Sequence, residues 1–238
     1  MVCGYWFSQI TGSQIQKDAA QNLLTAINLE HRGVMSSDNA PPFKPSMYRE
    51  PVPIWLTALG VKMIDAFIGP AQAKSYLEGN RARYIKYQNI LWIAVLSVGT
   101  FWACFILTSS VYASLFAALL LNPGLPMTPS GVFAMQIDTL YNEFLAASLL
   151  IFASALLTIS VKYGRLRHAV AAGLLLGLLA LTKAATVYVS PILFLLLLCL
   201  LALPRRLLPH RFRWQQLIAL FLAFSLVLLL SLIHIWRC

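Results

Sequence analysis

Residues 89–121 read NILWIAVLSVGTFWACFILTSSVYASLFAALLL, a run of 33 residues without a charged side chain. They lie within a longer stretch, residues 87–137, that contains no Asp, Glu, Lys or Arg. A helix needs about 20 apolar residues to cross the hydrocarbon core of a bilayer. Three more uncharged runs of that order follow, at residues 144–161, 184–204 and 214–236. The sequence therefore predicts an all-α fold, a polytopic transmembrane helical bundle.

The composition of the chain agrees with this prediction. Of its 238 residues, 59% are hydrophobic and 11% are charged, and the mean hydropathy is +0.74. Soluble domains carry about 25% charged residues, so this class is excluded. The net charge of +10 arises from 18 Lys and Arg against 8 Asp and Glu. Because these cations lie in short segments between apolar runs, they indicate retention on the cytoplasmic side rather than nucleic-acid binding.

Residues 1–88 form a mixed region with amphipathic and interfacial segments. Ala20, Leu23, Leu24 and Ile27 recur with helical spacing and predict an amphipathic helix of about 16 residues that ends at Gly33. The rest of the region is predicted from composition as a Pro-rich irregular loop, an apolar helix and a basic, aromatic interfacial segment, at residues 35–53, 54–68 and 71–88.

Residues 89–229 form the membrane region, for which about six spans are predicted. They lie near residues 90–107, 110–122, 141–161, 169–183, 186–203 and 215–235. The last segment, residues 230–238, begins LSLIHI and reads like a translated sequencing adapter. It is therefore left out of the fold prediction.

The path of residues 89–121 decides the topology. As one helix they would be about 50 Å long, which is too long for one span and short for two. A single crossing puts three basic segments on one face, as the positive-inside rule favours: residues 74–86, 162–168 and 205–213. A hairpin that turns near Ser109 instead puts Asp18, Arg49, Asp138 and Glu143 on one face. The functional interpretation of these residues favours the hairpin.

The acidic residues are few and unevenly placed. Six of the eight precede residue 80, and the last 95 residues contain none. Asp138 and Glu143 lie at the mouth of a predicted span, and Asp18 opens the amphipathic helix. Acids at the edge of a membrane are candidates for function. The alternative is that Asp138 and Glu143 anchor the start of a helix, since carboxylates favour the positive end of the helix dipole, and that Asp18 is a solvated or capping carboxylate.

Basic residues provide candidates for anion binding. Arg49 precedes Glu50 and Pro51 at the end of the Pro-rich loop, where a guanidinium suits a phosphate group. It could equally be an ordinary interfacial cation. Lys183, between two apolar runs, is a weaker candidate that could simply extend to the interface. The Cys and His residues show no spacing typical of metal ligands. The sequence leaves open whether the protein uses a divalent metal cofactor.

The order of these segments resembles the GT-C superfamily of membrane glycosyltransferases, the type that uses polyprenyl-phosphate-linked sugars and includes protein mannosyltransferases and aminoarabinose transferases. The resemblance covers roughly residues 17–203. It is carried by four motifs: KDAAQNLLTAINLEHRG, YREPVPIWLTALG, YNEFLAASLL and RLRHAVAAGLLLGLLALTKAA.

The resemblance implies roles for particular residues. Residues 1–88 become the first extracytoplasmic loop, with juxtamembrane helices that build the active site. Asp18 matches the catalytic carboxylate, and Arg49, with Glu50 beside it, matches the basic residue that contacts the lipid phosphate. Glu143 matches a second acid at a later span, with Asp138 as the alternative. Lys183 remains a further substrate-binding candidate.

The resemblance also implies the reaction and its place. The expected partners are a polyprenyl-phosphate sugar donor and a lipid, protein or glycan acceptor, at the extracytoplasmic face of a bacterial inner membrane. We expect Asp18, Arg49 and Glu143 to converge within roughly 10 Å. Because the family has a helix before the early Asp and continues past residue 238, the chain is expected to be a fragment that is inactive alone. The alternative function is a transporter or other non-catalytic polytopic protein, which would concentrate polar residues inside its spans.

Overall fold

The computed structural model describes residues 7–45, 50–121, 137–140, 142–202 and 213–237. In these residues the regular structure is helical, and no strand is found. We number the helices α1 Lys17–Arg32, α2 Pro51–Ile68, α3 Lys74–Leu77, α4 Asn80–Lys86, α5 Gln88–Thr108, α6 Val111–Leu120, α7 Glu143–Tyr163, α8 Leu166–Thr182, α9 Ala185–Ala202 and α10 Trp214–Arg237.

Four helical stretches are long and apolar enough to cross a membrane. They are Pro51–Ile68, Asn80–Thr108, Glu143–Tyr163 and Trp214–Ser231. Three further apolar helices are shorter: Val111–Leu120, Leu166–Thr182 and Ala185–Cys199. The predicted all-α class is confirmed for the described residues. The predicted count of about six spans after residue 88 still depends on whether the shorter helices cross as well.

The boundaries of the first two long helices follow from local chemistry. Helix α1 ends as predicted at Gly33, whose φ of +71° is a conformation that favours glycine. Helix α2 begins at Pro51, earlier than the predicted start at Ile54. The prolines at 51 and 53 fit the first turn of a helix, because backbone N–H groups there have no intrahelical partner. The prediction that the irregular loop extends to residue 53 is therefore wrong.

The Pro-rich loop is attached to α1 by side-chain hydrogen bonds. The Asn28 amide donates to the carbonyl oxygens of Ser36 and Asp38, at 2.7 and 2.9 Å. The Asp38 carboxylate in turn accepts from Ser36 Oγ at 2.9 Å and from the Lys44 N–H at 2.8 Å. A segment without regular secondary structure thus has a defined path up to residue 45.

The chain divides into two compact units. The first contains Met1–Val95 and Leu119–Phe144, and the second contains Leu96–Ala118 and Leu145–Arg237. In the first unit, α1 packs on α2, and its inner face joins residues of α2, α3 and α4 in one apolar core. The members of this core include Ile15, Ala19, Leu23, Ile27, Val61, Tyr76 and Ile85. This core fixes the position of the start of α1.

In the second unit, α8 and α10 approach closely through small residues. A Cβ atom on Gly173 would lie 2.3 Å from the carbonyl oxygen of Leu220, and one on Gly177 would lie 2.6 Å from Val227. Because both residue numbers rise together, the two helices run parallel. Small residues that allow backbones to meet are typical of helix packing in membranes.

Helices α5 and α7 also run parallel where they meet in the second unit. Gly99 faces Ile151 and Phe152, and Lys162 Nζ donates to the carbonyl oxygen of Ile106 at 3.5 Å. Parallel neighbours require the chain to return between the end of α5 and the start of α7. A single crossing by residues 89–121 would make them antiparallel, which does not fit these contacts.

The structure breaks the helix where the hairpin prediction needs a turn. Helix α5 ends at Thr108, Ser109 has a φ of +56°, and α6 begins at Val111. The Thr108 hydroxyl accepts from the Ser110 N–H at 3.2 Å, which stabilises the turn. The predicted break near Ser109 is confirmed, and the antiparallel course of α6 itself stays a prediction.

Candidate active site

Asp18 lies in the first turn of α1, with its side chain exposed. The helix begins here because Gln16 is extended and the apolar pattern starts at Ala19. A carboxylate in the first turn is favourable beside the unpaired backbone N–H groups. The sequence prediction for the local structure around Asp18 is confirmed, and its catalytic role stays a prediction.

Backbone hydrogen bonds fix the segment just before Asp18. The Gly79 N–H donates to the Gly12 carbonyl at 2.9 Å, and the Ile15 N–H donates to the Leu77 carbonyl at 2.8 Å. A Cβ atom on Gly12 would lie 3.0 Å from the Gly79 oxygen, so only glycine allows this approach without a shift. Residues 12–15 are thus held against the α3–α4 connection.

Asp138 binds the same segment from another side. Its carboxylate accepts from the Thr11 N–H and Thr11 Oγ1, both at 2.7 Å, and from Ser13 Oγ at 2.8 Å. Lys86 Nζ completes the set at 3.1 Å. The residues that meet here are 52 to 127 positions apart in the chain. Asp138, which lies just before α7, therefore joins residues 11–13 to the end of α4.

Lys86 has a fully buried side chain, with 0% exposure. Its ammonium group donates to the carbonyl oxygens of Thr11 and Ser13, at 3.1 and 3.0 Å, as well as to Ser13 Oγ and to Asp138. A buried charge is tolerated only when it is paired and hydrogen-bonded. Lys86 meets this condition, so the pair is a structural element of the first unit.

The protonation of Asp138 follows from these contacts. Burial raises the pKa of its carboxyl, but hydrogen bonds from Thr11, Ser13 and Lys86 outweigh burial and leave the pKa below its usual value. A carboxylate with a lowered pKa and four donors is a poor proton acceptor. This geometry favours a structural role for Asp138 over the catalytic role considered from the sequence.

The other candidate residues are distributed unequally. Glu143 is the first residue of α7, half-buried, and belongs to the first unit with Asp18 and Asp138. Glu50 occupies the N-cap position of α2 and is half-buried. Lys183 occupies the C-cap position of α8 and belongs to the second unit. Arg49 lies outside the described residues, so its predicted position beside Asp18 is untested.

A second polar cluster was not predicted from the sequence. It is centred on Asp65 in α2, which accepts from the Tyr76 hydroxyl and from Arg81 at 3.0 Å. His31 Nε2 lies 2.7 Å from the other carboxylate oxygen. Arg81 also donates to the Gly69 carbonyl at 2.6 Å, which satisfies the end of α2. Four helices, α1 to α4, are thereby tied together.

The environment of Tyr76 shows that this cluster is structural. Burial raises the pKa of the Tyr76 phenol to about 12, and the neighbouring Asp65 adds to the increase. The phenol therefore remains a proton donor at neutral pH. Since Tyr76 has no exposed surface, a substrate has no access to it in this conformation.

Sequence signals for both clusters existed. Asp65 is the only acid in α2, an otherwise apolar helix, and Lys86 is the last charge before the 51 uncharged residues 87–137. A charge inside or beside an apolar helix implies a partner. The identity of that partner needs the three-dimensional arrangement.

An apolar groove lies beside these clusters in the first unit. It has a volume of about 590 Å³ and runs between α2 and the α4–α5 segment. Its lining includes Gly60, Met63, Phe67, Tyr84, Tyr87 and Leu91. The groove has the dimensions of a small-molecule site but offers few polar groups.

Metal binding finds no support in the described ranges. Within residues 7–45, 50–121, 137–140, 142–202 and 213–237, no group of three His, Cys, Asp or Glu side chains is placed to hold a metal ion.

Comparisons with known proteins give no relative for this chain. No protein-family model matches it, and no curated protein and no solved structure matches it.

Proposed function

We propose that this chain is part of a membrane glycosyltransferase that moves a sugar from a polyprenyl-phosphate donor to an acceptor at the extracytoplasmic face. The observation that supports it most is the grouping of acids in the first unit. Asp18 is at least 120 positions from Asp138 and Glu143 in the sequence, yet all three belong to this unit. Four helices capable of spanning a membrane fit a lipid-linked substrate.

The parallel course of α5 and α7 adds support. Lys86 and Asn89 flank the start of α5, and both bond to residues 137–139 just before α7. The first turn of α5 therefore lies beside the residues that lead into α7. This arrangement agrees with the hairpin topology, in which Asp18 and Glu143 would share a membrane face as the proposed reaction needs.

The proposed reaction gives Asp18 and Arg49 separate roles in one displacement at C1 of the sugar. The acceptor hydroxyl loses its proton to the Asp18 carboxylate while its oxygen attacks C1 of the sugar. The bond between C1 and the phosphate oxygen breaks, and polyprenyl phosphate leaves with the electron pair. Arg49 neutralises the charge that grows on this phosphate. Because Asp138 is occupied by four donors, Glu143 is the better second acid for orienting the acceptor.

The apolar groove supports a lipid-linked donor. Its walls carry exposed hydrophobic side chains, with Phe67 at 85% exposure and Leu91 at 57%. Exposed apolar walls are unfavourable in water and favourable against an isoprenoid chain. Tyr84 and Tyr87, at the α4–α5 end, are residues typical of the membrane interface.

Donor binding by the purified chain tests this proposal. The chain in mild detergent is titrated with tritium-labelled polyprenyl-phosphate-mannose, polyprenyl-phosphate-aminoarabinose and sugar-free polyprenyl phosphate. We expect saturable binding of at least one lipid-linked sugar, and weaker binding by at least tenfold in Arg49→Ala, which loses a charge-assisted contact. Lys44→Ala removes an exposed cation from the same region and is the matched control.

Two results would contradict the proposal. One is the absence of saturable binding for all three lipids, which would favour a transporter or other non-catalytic membrane protein. The other is equal loss of binding in Arg49→Ala and Lys44→Ala, because this would indicate only general charge attraction.

A further inference from the structure

The second unit carries positive charge with no acidic side chain to balance it. Residues 96–118 contain no charged side chain, and residues 145–237 contain nine Lys and Arg and no Asp or Glu. In the first unit, by contrast, Asp65 and Asp138 both pair with cations. Any counter-charge for the second unit must therefore come from outside it.

Four of these cations lie at one end of the second unit. Lys162, Arg165 and Arg167 flank the turn between α7 and α8, and Arg213 precedes α10. The Gln216 amide donates to the Gly164 carbonyl at 2.8 Å, which brings the start of α10 to this turn. We call Lys162, Arg165, Arg167 and Arg213 the basic face. All four side chains are exposed.

Aromatic residues show what environment this face fits. Lys162 Nζ and the Arg165 guanidinium each lie 5.6 Å from the centre of the Tyr163 ring. Tyr163 is 43% exposed, and Trp214 beside Arg213 is 59% exposed. Tyr and Trp are enriched at the headgroup level of membranes. The basic face thus combines cations with the residues that mark a membrane interface.

An apolar surface begins directly beyond the basic face. Ile218, Phe221 and Leu222, one to two turns into α10, are all more than half exposed. Side chains of this kind fit the hydrocarbon region of a bilayer. In a bilayer that covers this apolar surface, the cations would lie at the depth of the lipid phosphates, where a soluble acidic protein would have to displace headgroups to reach them.

We propose that the basic face binds the phosphate of anionic phospholipids. The juxtamembrane attraction is about 1 kcal/mol per Lys or Arg near an anionic surface, so four cations give a clear preference over zwitterionic lipid. The proposal does not depend on the proposed function.

Native mass spectrometry of the purified chain tests this inference. The chain in mild detergent receives an equimolar mixture of dioleoyl phosphatidylglycerol and dioleoyl phosphatidylcholine, and the two retained lipids are counted. We expect the wild-type chain to retain phosphatidylglycerol in preference. The double variant Arg165→Gln/Arg167→Gln should lower this preference roughly tenfold or more, since two of four cations are lost.

Two further variants separate local binding from net charge and from misfolding. Lys44→Gln/Lys74→Gln removes two exposed cations elsewhere, so it should retain the wild-type preference. Arg165→Lys/Arg167→Lys keeps both charges and should retain most of it, even if the Gln variant folds poorly. The inference is overturned if the wild-type chain shows no preference for phosphatidylglycerol, as expected for a face that binds an acidic protein instead. It is also overturned if both Gln double variants lose the preference equally.

Discussion

Lys86 donates hydrogen bonds from a fully buried ammonium group to residues of the N-terminal segment and to Asp138. Removing the ammonium group leaves the Thr11 and Ser13 carbonyl oxygens without this donor and the partly exposed Asp138 carboxylate without its counter-charge. Lys86→Met should therefore destabilise the chain by about 3 kcal/mol, measured by denaturant unfolding in detergent. Lys74→Met, at an exposed lysine, is the control and should change stability by less than about 0.5 kcal/mol. A Lys86→Met variant as stable as this control would show that the pair is not formed.

The pH dependence of stability tests the charge on Asp138. Its pKa is lowered in the folded state, so the folded state binds fewer protons than the unfolded state, whose Asp pKa is about 3.9. The stabilisation is present above about pH 4 and is lost as the pH falls through the folded-state pKa. Asp138→Asn should unfold more easily at pH 7 and show a smaller loss between pH 5 and pH 3. An unchanged acid-induced loss in Asp138→Asn would contradict this assignment.

The sequence could place Asp138 at a membrane edge, but it could not identify its partners. The spacing of residues around Asp138 says nothing about Thr11, which lies 127 positions away. The alternative considered from the sequence, an anchoring carboxylate, is closer to the observed geometry than the catalytic role. Its donors come from the N-terminal segment and α4 rather than from the start of α7.

At the scale of elements, the close approach of α8 and α10 gives a direct test of packing. A Cβ atom on Gly173 would lie 2.3 Å from a backbone oxygen of Leu220, and backbone cannot move aside as a flexible side chain can. Gly173→Leu should lower the free energy of unfolding by about 3 kcal/mol or more. Val170→Leu, at a partly exposed position of the same helix, should change it little. Equal stability of the two variants would contradict the observed packing.

Helix boundaries were the most predictable feature of the fold. The predicted spans near 90–107, 141–161 and 169–183 correspond to α5, α7 and α8 within three residues at each end. Uncharged run length and loop charges carry this information. The start of α2 was missed because the sequence prediction treated Pro51 and Pro53 as helix breakers, although a proline in the first turn costs no intrahelical hydrogen bond.

At the scale of the whole molecule, the relative direction of α5 and α7 was the feature that the sequence left open. Positive-inside counting favoured the single crossing, and the hairpin was favoured only by the functional interpretation. The pairs Gly99 with Ile151 and Ile106 with Lys162 show that α5 and α7 run parallel, which agrees with the hairpin. One of the cations counted in residues 74–86, Lys86, is buried and paired with Asp138, so it does not report an exposed loop.

Cysteine labelling tests this topology. In a chain with its natural cysteines replaced, Ser109→Cys and Arg167→Cys should be labelled by a membrane-impermeant maleimide from the same side of sealed vesicles. Lys17→Cys should be labelled from the opposite side, because the start of α1 packs with Leu140, just before α7, in one core of the first unit. Labelling of Ser109→Cys and Lys17→Cys from the same side would contradict the hairpin.

Sugar transfer by an Asp18 variant tests the central claim most directly. In a transfer-competent enzyme that contains this chain, label from a tritiated polyprenyl-phosphate sugar is followed into acceptor for wild type, Asp18→Asn and Glu78→Gln. The proposed role of Asp18 as the base predicts that Asp18→Asn lowers transfer by at least about 10²-fold while donor binding and thermal stability stay at wild-type values. Glu78→Gln, which removes another exposed acid of the first unit, should transfer at the wild-type rate. Full transfer by Asp18→Asn would contradict the account.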